Sequence, residues 1–170
     1  MLFRSVLQLV PEETSLGDLL DIIYKTFGPE MVNKDLEWRL NIAEEAHRIF
    51  FLDAVRLRQV LFNIVGNAVK FTHAGFVEVC IEAVAEKDDL FTLLIHVIDS
   101  GIGIAEEDQA LVFESFNQLS KGDSREYEGT GFGLNVASRL MELMGGKILL
   151  QSTPGQGSQF TLKIPGVRAL

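Results

Sequence analysis

The chain has 170 residues, 47% of them apolar, and a formal net charge of −9 from 24 acidic and 15 basic side chains. That length and apolar content suggest one domain with a real core, while the charge argues against a nucleic-acid binder, which needs clustered Lys and Arg. No apolar run approaches the roughly 20 residues of a membrane span, and a single cysteine, Cys80, excludes an internal disulfide and fits a reducing compartment.

In chain order, residues 2–10 alternate weakly and read as an added edge strand; MLFRSVLQLV is too short and wrongly flanked for a signal peptide. Ser15 and Asp18 resemble a capping box, with Leu16, Leu19, Leu20, Ile23 and Phe27 following at helical spacing. Gly28-Pro29 is expected to stop that helix. LEWRLNI, from Leu36 to Ile42, alternates like a strand. Asp53 can cap a helix running to about Phe71. Val77, Val79, Ile81 and Ala83 alternate with polar neighbours, with Cys80 as a structural residue among them. Glu86 to Asp89 turns into a second strand, FTLLIHVID, ending at Asp99, so the two form a hairpin. A short helix is expected over Glu106 to Phe113. Residues 117–130, NQLSKGDSREYEGT, are polar and without period, and read as a mobile loop. Gly131 to Met144 is amphipathic and ends at Gly145-Gly146. Lys147 to Gln151 and Ser158 to Ile164 read as a closing hairpin. Helices interleaved with hairpins predict an α+β fold, with a layer of helices on a mostly antiparallel sheet.

The helix DAVRLRQVLFNIVGNAVKF has two faces. Leu57, Val60, Leu61, Ile64, Val65 and Ala68 form an apolar stripe that should pack on the sheet. Arg56, Gln59, Asn63, Asn67 and Lys70 share another face. Asn63 and Asn67 are i and i+4, and Lys70 adds i+3, so the three can converge on one ligand. Two amide oxygens and an ammonium suit a magnesium–phosphate group. Taken alone, such a face is more often simply solvated.

Two glycine clusters follow. In DSGIGI (99–104), Asp99 ends an apolar strand, where its carboxylate could accept a hydrogen bond from an adenine amino group. Gly101 and Gly103 would let the backbone approach a flat base, although Asp and Gly are also ordinary turn residues. GTGFGL (129–134) opens a helix, whose free N–H groups can bind phosphate. It follows no strand, lacks the GxGxxG spacing and has no GK[ST], so neither a dinucleotide fingerprint nor a P-loop is present. The ordered set describes a nucleotide pocket with a floor, a metal site and a movable lid.

With these pieces the chain, from about Ser15 to Pro165, resembles the catalytic ATP-binding domain of sensor histidine kinases. That superfamily, with the Bergerat fold, is shared with gyrase, heat-shock chaperone and mismatch-repair ATPases. RLRQVLFNIVGNAVKFT (56–72) resembles its asparagine box, DSGIGI its first glycine box, VFESFNQ (112–118) its phenylalanine box and GTGFGL its second glycine box. The resemblance implies a two-layer α/β sandwich with about five strands and three main helices on one face. It implies domain bounds of 15–166, a residual linker over 1–14 and a tail over 167–170. ATP and Mg2+ are the implied cofactors. Asn67, supported by Asn63, matches the magnesium ligand, and Lys70 the phosphate-contacting lysine. Asp99, Gly101 and Gly103 match the adenine site, with Ser158 as a late hydroxyl joined to Asp99 through water. Phe113 and Phe116 match the pair anchoring the lid, and Arg125 a lid arginine that reaches the γ-phosphate. Gly129, Thr130, Gly131, Gly133 and Leu134 match the phosphate-binding turn. Glu128 departs from the family, which commonly has glycine there.

The superfamily's ATPases carry Glu where this chain has Asn63. An amide is a poor general base, so water activation is disfavoured and γ-phosphoryl transfer to a histidine is favoured. His47 and His73 read as loop residues and His96 as a strand residue, so the acceptor is expected elsewhere, on a preceding helical dimerisation domain. A response-regulator receiver would then take the phosphoryl group. The isolated domain is expected to be a cytoplasmic monomer with no membrane contact, and its parent a homodimer, membrane-anchored or not. The alternatives are a non-catalytic nucleotide-sensing or docking module, and a gyrase-like ATPase.

Overall fold

The computed structural model describes residues 7–114 and 130–170, with 130–133 as backbone only. The strands are β1 (Glu12–Ser15), β2 (Glu37–Ile42), β3 (Ile49–Leu52), β4 (Phe76–Ala85), β5 (Leu90–Asp99), β6 (Lys147–Thr153) and β7 (Gly157–Ala169). The helices are α1 (Leu16–Asn33), α2 (Ala54–Phe71), α3 (Glu106–Gln109) and α4 (Thr130–Leu143), with a 3-10 turn over Glu44–His47.

Among the described residues the strands form one sheet, in the order β1-β3-β7-β5-β4-β2, with β6 also on β7. Every pairing is antiparallel except β2 with β4. The long β7 takes β5 along one edge. Its other edge carries β6 over residues 157–163 and the end of β3 at Arg168 and Ala169. The sheet therefore has seven strands, where about five were expected. The additions are β1 and β3, four residues each. Runs that short carry no usable period. Of the edge strand expected over residues 2–10, residues 7–10 are not in a strand and residues 2–6 lie outside the described residues. Sheet pairing begins at Glu12 and ends at Ala169, a few residues outside the expected 15–166.

Alternation along β4 and β5 turns Val77, Val79, Ile81, Leu93, Ile95 and Val97 inward, each at most 1% exposed. The stripe Leu57, Val60, Leu61, Ile64 and Val65 of α2 packs over them, also at most 1% exposed. Helices α1 and α4 flank α2. The Asp53 side chain caps α2 by accepting the Arg56 N–H at 3.1 Å. Its other oxygen accepts the Val10 N–H at 2.9 Å.

Helix α1 does not stop at Gly28-Pro29; it runs through Pro29 to Asn33. An internal proline typically costs about 3 kcal/mol. Here the continuation buries Met31 to 1% exposure, and the Lys34 N–H closes the end on the Glu30 carbonyl. Lys34 also sends its ammonium to the carbonyls of Val69 and Lys70, at 2.7 and 3.2 Å. A cation thus caps the C-terminus of α2, where the helix dipole favours one. Cys80 and His96 sit on the outer face of the sheet as cross-strand neighbours. His96 meets the Thr161 hydroxyl at 2.8 Å. His47 ends the 3-10 turn rather than lying in an open loop.

Candidate nucleotide site

The ends of β5 and β7 set the floor of a cleft roofed by α2 and α4. Asp99 falls on the inward side of β5 because Phe91, Leu93, Ile95 and Val97 do, and it is 7% exposed. Its Oδ1 accepts the Gly101 N–H at 2.8 Å. Burial pushes its carboxyl above the ordinary aspartate range, opposed by the backbone N–H groups of Gly101 and Ser158. Ser158 is its antiparallel register partner.

The two glycines of DSGIGI are sterically required. A Cβ on Gly101 would come 2.5 Å from the Phe71 carbonyl oxygen and 2.9 Å from Asp99 Oδ1 and Thr72 Oγ1. Gly103 has φ +70°, and a Cβ there would strike the Thr153 carbonyl. Both backbones are pressed against neighbouring chain on one side, and Gly103 lines the cleft on the other.

The cleft is open to solvent and is lined mostly by apolar side chains. Asn67, Ala68 and Phe71 of α2 form one wall; Ile102 and Ile104 form another, with Val112, Leu134 and Phe160 completing it. The Phe113 ring meets Phe160 edge-on at 6.3 Å between centroids. The Asn135 amide holds the Phe113 carbonyl at 2.9 Å, tying α4 to that segment.

Of the expected site residues, Asn67, Asp99, Gly103, Leu134 and Ser158 line this one cleft, and Gly101 lies beneath it. Asn63 is half-buried and Lys70 exposed on α2, each within a turn of Asn67; the Lys70 ammonium lies 5.3 Å from the Phe71 ring centroid. Thr130, Gly131 and Gly133 form the first turn of α4. Phe116, Arg125, Glu128 and Gly129 lie outside the described residues. The Ser158 hydroxyl meets Ser152 directly at 2.8 Å, while its backbone N–H is what reaches Asp99.

Four further residues shape the site without having stood out in the sequence. They are Asn135, Ser152, Gln109 and Thr72. Ser152 takes the Ile104 N–H at 2.8 Å. Gln109 donates to the carbonyls of Ile104 and Ser152 at 2.9 and 3.0 Å. Thr72 is wholly buried, with its hydroxyl unpartnered. Only a contact map could have singled them out, because each looks like an ordinary strand, helix or loop polar residue.

The donor set suits a magnesium nucleotide better than a bare metal. Among the described residues no three His, Cys, Asp or Glu side chains gather to hold an ion. Magnesium commonly takes a small number of protein oxygens and completes its shell with phosphates and water. Asn67 lies on the cleft wall with a buried, unpartnered Nδ2; that nitrogen is a hydrogen-bond donor suited to a phosphate oxygen, and a metal would take the amide's Oδ1 instead.

Comparison with known proteins agrees with this geometry. Residues 52–168 match the family model described as histidine kinase-, DNA gyrase B-, and HSP90-like ATPase. The chain is 37% identical over 153 residues to the autoinducer 2 sensor kinase/phosphatase LuxQ of Vibrio cholerae, covering 90% of this chain and 18% of that protein. It is 35% identical over 161 residues to the signal transduction histidine-protein kinase BarA of Escherichia coli, covering 95% of this chain and 17% of that one. It thus spans less than a fifth of either relative. Full-length ShkA in complex with AMPPNP superposes with a TM-score of 0.81 at 30% identity, over 98% of this chain and 33% of that one. The nucleotide-free catalytic domain of histidine kinase ThkA shares the fold, with a TM-score of 0.75 at 23% identity over 92% of this chain and 96% of that one. With a family match over more than half its length, the chain belongs to the histidine kinase-, DNA gyrase B- and HSP90-like ATPases.

Proposed function

We propose that this chain is the ATP-binding catalytic domain of a sensor histidine kinase, transferring the γ-phosphoryl group of ATP to a histidine on a separate helical dimerisation domain. The observation that carries the reading is the cleft floor: a buried carboxylate, Asp99, in a cleft of otherwise mostly apolar walls that Gly103 helps to line. Asp99 accepts from the adenine amino group. Asn67 and Asn63 would hold Mg2+, and Lys70 and the first turn of α4 would meet phosphate charge. Magnesium, when bound, neutralises charge on the phosphates. Asn63 favours transfer over hydrolysis, since an amide cannot take a proton from water near neutral pH. A neutral imidazole needs no such base: its nitrogen bonds to the γ-phosphorus as the bridging oxygen departs with ADP. By the family resemblance, Phe113 and Phe116 take the role of lid anchors and Arg125 that of a γ-phosphate contact.

The domain bounds 15–166, a receiver domain as downstream partner, a monomeric isolated domain in a dimeric parent, and a cytoplasmic site belong to the same reading. Among the described residues no helix is long and apolar enough to cross a membrane. Calorimetry with AMPPNP, with and without magnesium, tests the site. Magnesium-dependent binding that disappears in Asp99→Asn supports it; parent and variant binding alike overturns it. Transfer of labelled phosphate to an added helical phosphoacceptor domain then tests the reaction. Steady phosphate release without an acceptor would favour a gyrase-like ATPase instead.

A further inference from the structure

Helix α1 ends in a closed cap. The Asp35 N–H meets the Val32 carbonyl at 3.1 Å and the Leu36 N–H meets the Met31 carbonyl at 2.9 Å, with Asp35 at φ +54°. That pair of bonds is the Schellman arrangement, and Met31 and Leu36, the apolar pair of such a cap, are both buried. It fixes the backbone of Lys34, the residue just before the left-handed turn. The turn that α1 adds beyond Gly28-Pro29 is what brings Lys34 beside α2.

Helix α2 has no such cap. Its C-cap residue, Thr72, is extended, at φ −105° and ψ 115°. The last carbonyls of a helix lack partners within it, and three of those of α2 take theirs from other elements. Lys34 Nζ donates to the carbonyls of Val69 at 2.7 Å and Lys70 at 3.2 Å. The Ile102 N–H donates to the carbonyl of Phe71 at 3.3 Å. The last turn of α2 is thus held from α1 on one side and from the DSGIGI turn on the other. The Glu30 carboxylate is a weak rival for the Lys34 ammonium, 3.8 Å away and exposed.

Asn67 begins this turn and Lys70 lies within it. We propose that Lys34 is a positioning residue for nucleotide phosphates: its two bonds to α2 hold the turn that carries Asn67 and Lys70. The inference rests on the nucleotide reading above. Without the ammonium, the carbonyls of Val69 and Lys70 turn to water and the helix end frays. Ordering it again then draws on the free energy of phosphate binding. Binding of the base is spared, because Asp99 sits on β5 and Phe71 stays tied to Ile102.

The test compares ADP and adenosine in magnesium, by calorimetry for ADP and by chemical-shift titration for the weaker adenosine. Lys34→Met keeps the aliphatic stem and removes the donors. It should weaken ADP by about tenfold and leave adenosine within about twofold. The substitution is then repeated on a chain carrying Asn67→Ala and Lys70→Ala, where it should change ADP affinity by less than about twofold. Undiminished ADP affinity in Lys34→Met, or an equal loss for adenosine, overturns the proposal. An ADP loss just as large without Asn67 and Lys70 also overturns it, since the charge would then act on the phosphates directly. If circular dichroism shows that Lys34→Met does not fold, Lys34→Gln is held to the same criteria. A parent and Lys34→Met that bind ADP equally overturn this proposal and leave the nucleotide site standing; a parent that binds neither ligand removes both.

Discussion

Gly103 and Gly155 offer a matched pair of alanine substitutions. Their φ angles are nearly equal, +70° and +77°, but their surroundings differ. A Cβ on Gly155 meets nothing within 4 Å, whereas one on Gly103 strikes the Thr153 carbonyl and lies 2.9 Å from Pro154 Cα. Both variants bear the left-handed strain, about 1–2 kcal/mol. Gly103→Ala adds a steric term of about 1–3 kcal/mol, because the atoms in the way are backbone and cannot rotate aside. For a chain of this size each kcal/mol moves the melting midpoint by about 2–4 °C. At about 3 °C per kcal/mol, Gly155→Ala should therefore melt about 3–6 °C below the parent, and Gly103→Ala about 6–15 °C below it. Differential scanning calorimetry at neutral pH reads both. Titration with AMPPNP on the folded variants should show binding kept in Gly155→Ala and weakened in Gly103→Ala, which alone displaces a cleft wall. Equal losses of stability in the two variants would refute the crowding argument, since strain alone would then account for both.

Asp99 should cost stability for its function. Its carboxyl is pushed up by burial, so the folded chain binds this proton more tightly than the unfolded one, and stability falls as pH rises from the ordinary aspartate range through the raised folded value. Asp99→Asn should thus show its largest gain in melting temperature over the parent at neutral pH, shrinking on acidification; a gap that widens instead would contradict the burial argument. Asp53→Ala removes a helix cap and the tie to Val10. It should cost about 2 kcal/mol, read by urea denaturation, and an unchanged midpoint would mean that water replaces both bonds. Asn67→Ala should bring ADP affinities with and without magnesium closer together; a magnesium effect of undiminished size would place the ion elsewhere.

Much of this protein is legible along the chain because its signals are local. The period of Leu57 to Ala68 marks α2 and its buried stripe, and Asp53 marks where that helix begins. Alternation marks β4 and β5 and puts Asp99 on the inward face, since each side chain's face follows from its place in the count. The asparagines, Asp99 and the glycine clusters are likewise visible as residue types at set spacings.

Tertiary structure decided the rest. Helix α1 passes through Gly28-Pro29 because burying Met31 outweighs a local breaking signal. The four-residue strand β3 exists because β7 is long enough to offer it an edge, and β1 in turn pairs on β3. Gly101 and Gly103 look like turn glycines until Phe71 and Thr153, distant in the chain, are seen pressed against them. Which carbonyls the Lys34 ammonium caps is settled by how α1 lies on α2. A spacing along the chain can place a donor on a face, but only the three-dimensional arrangement says which partner is left for it.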